Sequence, residues 1–434
     1  MLSFGSPQNI NFNKVQSWIR LCAGFLSYSI LTRIVLFLSG ILILRVTSKS
    51  DYADYTVINS LQFGFVALAS TGIGPAFFSL GAQFKSDRKE FGALVSTAIR
   101  FRVYLAIILV PIPLVMAASM FIGLGTPIHK SIILIILAGI LFSISIISGL
   151  HSYVHQIYGE YFVPQKSELL TSSTRLLSLA FFATITGINA IFTLALTAVS
   201  QYAWYKYYLF PSSLRKYEQG EPISASMMKT FFKSTLRLAP ESLVAFFMPL
   251  IITLLLSFFG DSDQVADAGA LTRIGAILAI LTSLNASIIM PKLANSIESN
   301  RFLRNSGLVV IYAITVSAVT LLVIYLATPI ILKILGPSYS YLRTELLIYS
   351  ATIVVAFLFG TIRIILTSKN WLEYFYIFPI VNILSLIIAL PFFDLSSLKS
   401  LLTMSLIRQI PVGIVTIGLV YFQLRKHDVI PSGS

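Results

Sequence analysis

Charge is what this sequence has least of. Asp, Glu, Lys and Arg make up 11% of its 434 residues, against about 25% in an average soluble protein. That is too little to coat a soluble surface of this size. Cysteine is almost missing too. The single Cys22 lies in an apolar run, which excludes an intrachain disulfide or a cysteine-based metal cluster and reads as a small buried hydrophobe. No Gly-x-x-x-x-Gly-Lys-Ser/Thr run occurs, so there is no P-loop. No Ser/His/Asp arrangement stands out, and no soluble stretch is long enough to house a catalytic fold. A cleavable signal peptide is not evident either. The first twenty residues are polar, and the run at 21–44 is too long for a signal core, so it reads as a retained first transmembrane helix.

What is there is apolar: 56% of the residues are hydrophobic. A membrane span needs about 20 mostly apolar residues. Twelve segments qualify, at 21–44, 56–80, 103–124, 131–153, 168–187, 189–210, 234–259, 267–290, 307–328, 344–366, 372–392 and 400–424. The expected fold class is an all-α polytopic membrane protein. The longest connection, 211–233, divides the spans six and six. The expected organisation is therefore an N-terminal six-helix bundle (1–210), a linker (211–233) and a C-terminal six-helix bundle (234–434).

The formal net charge is +14, from 31 Lys+Arg against 17 Asp+Glu. Most of it is a topology signal. With the N-terminus in the cytoplasm, nineteen basic residues fall on the cytoplasmic side, six on the opposite side and six inside spans. The positive-inside rule then places both termini in the cytoplasm, and the charge balance gives no support for nucleic-acid binding.

The two halves resemble each other at one offset. Ala53-Asp54 is repeated at Ala266-Asp267, and Glu160-Tyr161-Phe162 at Glu373-Tyr374-Phe375, both 213 residues later. A duplication of six spans gives copies of the same orientation, related by an axis along the membrane normal. A cavity between the copies is then expected.

With Lys206, near the end of the sixth span, counted on the cytoplasmic side, all six basic residues inside spans are arginine: Arg33, Arg175, Arg237, Arg273, Arg363 and Arg408. A charge at a helix centre costs about 2.5–3.5 kcal/mol on insertion scales, so it faces a cavity or a partner. Arginine's planar fork suits phosphate recognition. Arg237 and Arg363 lie within about a turn of the cytoplasmic boundary and can snorkel. Arg33, Arg175, Arg273 and Arg408 lie deeper and are the candidate cavity cations, with structural pairing as the alternative. Glu168, Thr171, Ser172, Arg175, Ser178 and Thr186 share one face of the fifth span, a polar stripe suited to lining water. Glu241 is the one acid away from the very ends of the spans. It is either a proton or cation site, hence a candidate for ion coupling, or a partner for Arg237 one turn before it. His151 and His155 have i, i+4 spacing but lack the glutamate of a zinc-hydrolase helix, so no metal site is expected.

The stretch Arg45–Tyr55 through Gly72-Ile-Gly-Pro75, with 260–291 and Ile334-Leu-Gly-Pro-Ser-Tyr339, resembles the Wzx-type O-antigen and polysaccharide flippases of the multidrug/oligosaccharidyl-lipid/polysaccharide (MOP) exporter superfamily. The resemblance implies a MATE-like fold of two pseudo-symmetric six-helix bundles around an alternately opening cavity. It also implies a non-enzymatic flippase for undecaprenyl-pyrophosphate-linked oligosaccharides in the bacterial inner membrane. No cofactor is implied, and proton or sodium coupling is left open. Partners would be the lipid-linked glycan, membrane lipid and other polysaccharide-assembly proteins. The related lipid II flippases use arginines in the first and eighth spans, where Arg33 and Arg273 lie. Drug-exporting relatives commonly carry an aspartate in the first span, and none stands there here. The alternatives are a multidrug or organic-cation antiporter of the same superfamily and a membrane polysaccharide polymerase or ligase.

Overall fold

The structure is a computed structural model that describes residues 12–69, 73–185, 187–219, 223–284, 299–369 and 373–426, with 289, 293 and 371 besides. Its helices are α1 (Phe12–Val46), α2 (Lys49–Ala69), α3 (Ile73–Phe84), α4 (Arg88–Leu109), α5 (Pro111–Gly123), α6 (Ile128–Ile157), α7 (Phe162–Ala183), α8 (Ala190–Trp204), α9 (Phe210–Leu214), α10 (Ala225–Phe259), α11 (Ser262–Leu284), α12 (Ser299–Leu335), α13 (Arg343–Ser368), α14 (Ile377–Ala389) and α15 (Leu398–Lys426). With α2–α3, α4–α5 and α8–α9 each counted once, the described helices make twelve segments, six in each half. Among the described residues, six stretches are long and apolar enough to cross a membrane by length and composition alone, α6, α13 and α15 among them. Helices such as α2 and α7 are less apolar because they carry inward-facing polar groups, for instance Asn59, Ser60 and Arg175.

Local chemistry marks several ends. Asp87 accepts from the amides of Lys89 (2.8 Å) and Glu90 (3.2 Å) and so caps α4. Asn189 caps α8 through the Phe192 amide (2.9 Å), which makes the tight turn after α7 possible. Pro111 lacks an amide proton and begins α5 where α4 ends.

The duplication is visible in the helix bounds. α1 and α10 are both 35 residues long and are displaced by 213 residues at each end. Thr56 on α2 and Gly269 on α11 are 213 apart and touch each other: a Cβ on Gly269 would overlap Thr56 Oγ1. A residue that meets its own repeat lies on the symmetry axis, so the pseudo-two-fold passes between α2 and α11. The flanking contacts obey it. Ser60 Oγ lies 3.4 Å from Thr253 Oγ1. At the equivalent positions Arg273 packs on Gly40, where a Cβ would stand 2.6 Å from Arg273 Cδ. Both Glu-Tyr-Phe repeats clasp a lysine at or just past the end of the last helix of their half, Glu160 with Lys216 and Glu373 with Lys426 (2.6 Å). Burial alone would raise the Glu160 carboxyl, but hydrogen bonds from Lys216 and His155 outweigh it and hold it below the ordinary glutamate value.

On the side away from the termini, one apolar core runs through both halves, from Ile43, Tyr52 and Phe65 to Leu256, Leu335 and Leu401. Among the described residues, the side of the termini holds two separate cores. One holds Phe77, Phe91, Leu150, Tyr217 and Phe231, so the segment between the halves and the base of α10 dock on the first half. The other holds Phe302, Ile365, Phe378 and Leu424. The halves are therefore joined at the far side, where a polar latch adds to the core. Arg45 donates to the carbonyls of Ile334 (3.0 Å) and Lys333 (2.7 Å). Lys49 reaches Tyr341 (2.8 Å), Asp267 (3.3 Å) and Asp263 (3.5 Å). Burial would lower the Lys49 ammonium, but the Tyr341 hydrogen bond and the Asp267 charge outweigh it and hold it above the usual lysine value.

Two outcomes follow from these contacts. Gly269→Ala should lose about 1–3 kcal/mol to overpacking, seen as a lower Tm in detergent, and Thr56→Ala should restore most of it. An ion pair of this kind contributes up to about 1 kcal/mol, or roughly five-fold in an equilibrium. Lys49→Ala should therefore raise about five-fold the labelling of a Ser60→Cys probe, in a Cys22→Ser background, by an impermeant thiol reagent applied from the far side.

Candidate functional site

Between the halves lies a cavity of about 820 Å³, walled by α1, α2, α7, α10, α11, α13 and α15. Arg33, Arg175, Arg273 and Arg408 all line it. At 1.5 Å per residue they stand about 12–20 Å from the far-side ends of their helices, near the middle of a hydrocarbon layer about 30 Å thick. Among the described lining residues there is no Asp or Glu. Four arginines from four helices therefore line one space at mid-membrane depth.

Each is held differently. Arg273 donates from Nε to Tyr52 Oη (2.9 Å), and its guanidinium lies over the rings of Tyr52 and Tyr55, 5.8 and 5.4 Å from their centroids. Such cation–π contacts are worth about 0.5–2 kcal/mol. Its Nη2 is buried without an acceptor. Gly40 leaves the room this side chain needs. Arg175 lies within electrostatic reach of Arg273, and its Nε is also buried without a partner. Arg33 on α1 faces α7, with the Glu168 carboxylate in electrostatic reach. Arg408 is only 7% exposed. Its Nη1 meets Met248 Sδ and, at 3.4 Å, Asn382 Oδ1, while its Nε has no acceptor.

The polar stripe of the fifth span divides. Arg175 reaches the cavity, whereas Thr171, Ser172 and Ser178 are not among its lining residues. Thr171 donates to the Ser167 carbonyl (2.9 Å), Ser172 is buried, and Ser178 is half-buried. The reason is that α7 packs against α1 on one side and α8 on the other, so part of a polar face meets helices. Trp204 Nε1 donates to Thr174 Oγ1 across the α7–α8 contact (2.7 Å). Thr186 and the side chains of Glu241 and Arg237 lie outside the described residues. The histidines bond within the first half: His151 Nδ1 with Ser213 Oγ (2.7 Å), and His155 with Glu160 Oε2 (2.8 Å) and Ser212 Oγ (2.9 Å).

Sequence reasoning passed over two features. Tyr52 and Tyr55 are the platform for Arg273, and their i, i+3 spacing on α2 was the available signal. Arg102, one of the nineteen basic residues counted on the cytoplasmic side, is buried at 4% exposure inside the first half. There its Nη1 donates to the Ile146 carbonyl, and it lies 5.2 Å from the Tyr153 ring. It sits there because α4 begins at Arg88 and carries it well into the helix.

The arrangement suits one kind of chemistry. Fixed guanidinium groups with free N–H donors at mid-membrane bind a multi-oxygen anion and repel a cation. The charges also break the symmetry of the scaffold. The repeat positions of Arg33, Arg175, Arg273 and Arg408 are Phe246, Ile388, Ser60 and Ala195.

No sequence-family model matches the chain, and no curated protein matches it. Solved structures do. The lipid II flippase MurJ in an inward closed conformation is 17% identical with a TM-score of 0.70, over 92% of this chain and 87% of that one. An inward-facing multidrug-resistance MATE-family transporter of the MOP superfamily is 14% identical with a TM-score of 0.64, over 95% of this chain and 100% of that one. A MOP superfamily transporter from Pyrococcus furiosus, described as having a binding pocket of reverse polarity, is 16% identical with a TM-score of 0.66, over 94% and 95%. At these identities the likeness establishes the fold: this chain has the twelve-helix architecture shared by MATE transporters and MurJ.

Proposed function

We propose that the protein is a flippase. It carries undecaprenyl-pyrophosphate-linked oligosaccharide repeat units from the cytoplasmic to the periplasmic leaflet of the bacterial inner membrane by alternating access, for O-antigen or another surface polysaccharide. The observation that carries the reading is the convergence of four arginines, with no described acid among them, on one mid-membrane cavity. A pyrophosphate has the oxygens and the charge to satisfy the free guanidinium donors. The glycan crosses in the aqueous cavity while the prenyl tail stays in lipid. The fold it shares with a lipid II flippase supports the same reading.

Energetics agree. One charge moving through 100 mV is worth about 2.3 kcal/mol, so two negative charges going outward down an inside-negative potential gain about 4.6 kcal/mol. Coupling to a proton or sodium ion, with Glu241 as its candidate site, is not required. The same fold serves multidrug transporters, but a lining of four arginines opposes an organic cation. A polymerase or ligase needs a long external loop for its acceptor, whereas only residues 336–342 connect α12 and α13 on the far side. The basic residues on the side of the termini support cytoplasmic ends.

A charge-assisted hydrogen bond contributes about 1.5–3 kcal/mol, roughly ten- to a hundred-fold in rate. In the native strain, Arg33→Ala and Arg273→Ala should each cut surface polysaccharide by about that factor while the protein remains inserted at normal levels. Gly40→Ala, which displaces Arg273 without removing it, should give a smaller loss in the same assay. Normal polysaccharide in both arginine variants rejects the proposal.

A further inference from the structure

On the flippase reading, we infer that the cavity holds a second anion subsite, at Arg408, and that it takes a carboxylate on the glycan. The transported repeat unit therefore contains an acidic sugar. Arg33, Arg175 and Arg273 belong to α1, α7 and α11, and α1 packs against both of the others. Arg408 belongs to α15, which packs chiefly against α13 and α14 and less against α10 and α11. Arg33, Arg175 and Arg273 thus gather around α1, and Arg408 enters the cavity from the side of α13 and α14.

Arg408 is only 7% exposed and is poorly satisfied. Its contacts are a thioether and a long hydrogen bond to an amide oxygen. Its Nε is buried with no acceptor, and no described lining residue is an acid. A buried charge with no counterion is strongly destabilising, so an anion that visits this wall during transport explains why the arginine is tolerated. The surroundings select its type. Ser405, Arg408 and Gln409 lie on one face of α15 and all reach the cavity, with Asn382 opposite. One fixed positive charge among neutral hydrogen-bonding groups fits a planar monoanion gripped by both arms of the fork. The paired Arg175 and Arg273, with Tyr52 beneath, fit the more highly charged pyrophosphate instead.

The test uses the full-length protein in liposomes with two synthetic polyprenyl-pyrophosphate trisaccharides that differ only in glucuronate or glucose at one position. The wild type should translocate the glucuronate form about ten-fold faster. Arg408→Gln should slow the glucuronate form about ten-fold more than the glucose form and so abolish the preference, and the remaining transport of the glucose form shows that the variant is folded. Arg273→Gln should slow both. Equal wild-type rates for the two substrates, or an equal slowing of both by Arg408→Gln, overturns the inference while the flippase reading stands. Failure of the wild type to move either substrate rejects that reading and this inference with it.

A second inference rests on the repeat alone. In the first half, Asp54 is held within its own half by Lys130 (2.5 Å) and Thr126 (2.8 Å). Its repeat Asp267 is held across the halves by Lys49 (3.3 Å), together with Tyr341. The repeat of Lys130 is Arg343, exposed at the start of α13. We infer that when the far side opens, Asp267 leaves Lys49 for Arg343 and the second half takes up the pairing already present in the first. Arg343→Ala should then lower far-side labelling of the Ser60→Cys probe about five-fold, and Arg343→Lys should restore it. Labelling unchanged by Arg343→Ala overturns the exchange.

Discussion

A guanidinium in the middle of a bilayer is expensive unless something answers it, and this chain places four of them around one space. No described acid lines that space. What answers them within the protein is partial: the Glu168 carboxylate within reach of Arg33, a tyrosine hydroxyl and two aromatic faces for Arg273, a weak amide contact for Arg408. The rest of the structure can be understood as the means of holding these charges at mid-membrane. Long apolar helices carry the lipid contact, the less apolar α2 and α7 turn polar groups inward, and the far side is sealed by a core that runs through both halves.

The scaffold is a duplicate, but its function is not. Thr56 and Gly269 meet at the axis, and Ser60–Thr253 mirrors Arg273–Gly40. The mirror pair shows how one position was adapted. Where one copy has a serine facing a threonine, the other has an arginine facing a glycine, because a side chain of that length needs the space a Cβ would occupy. The far-side latch follows the same logic. Asp54 is satisfied within its own half, while Asp267 is satisfied by the other half, so a repeated carboxylate is structural in one copy and joins the bundles in the other.

Much of the fold was legible because its signals are one-dimensional. Apolar run length gives the spans, and a constant spacing of 213 residues gives the duplication, which the bounds of α1 and α10 repeat. The depth of Arg33, Arg175, Arg273 and Arg408 was legible for the same reason. The stripe at Thr171, Ser172 and Ser178 shows the limit. Helical periodicity reports that residues share a face, but α7 has neighbours on two sides, and only packing shows which part of the face meets water. Arg102 shows another limit, since a charge just outside a predicted span counts as cytoplasmic until the helix is seen to start at Arg88.

By itself the sequence determined the membrane character, the six-and-six arrangement and the restriction of intramembrane cations to arginine, since each depends only on composition and spacing along the chain. Only the tertiary structure decided that four arginines from separate helices share one cavity, that Tyr52 and Tyr55 support Arg273, and that Arg408 enters that cavity from the side of α13 and α14 with its Nε free. Those facts depend on how helices far apart in the chain are rotated and packed, and a hydropathy pattern carries depth along a helix but not the direction of its neighbours.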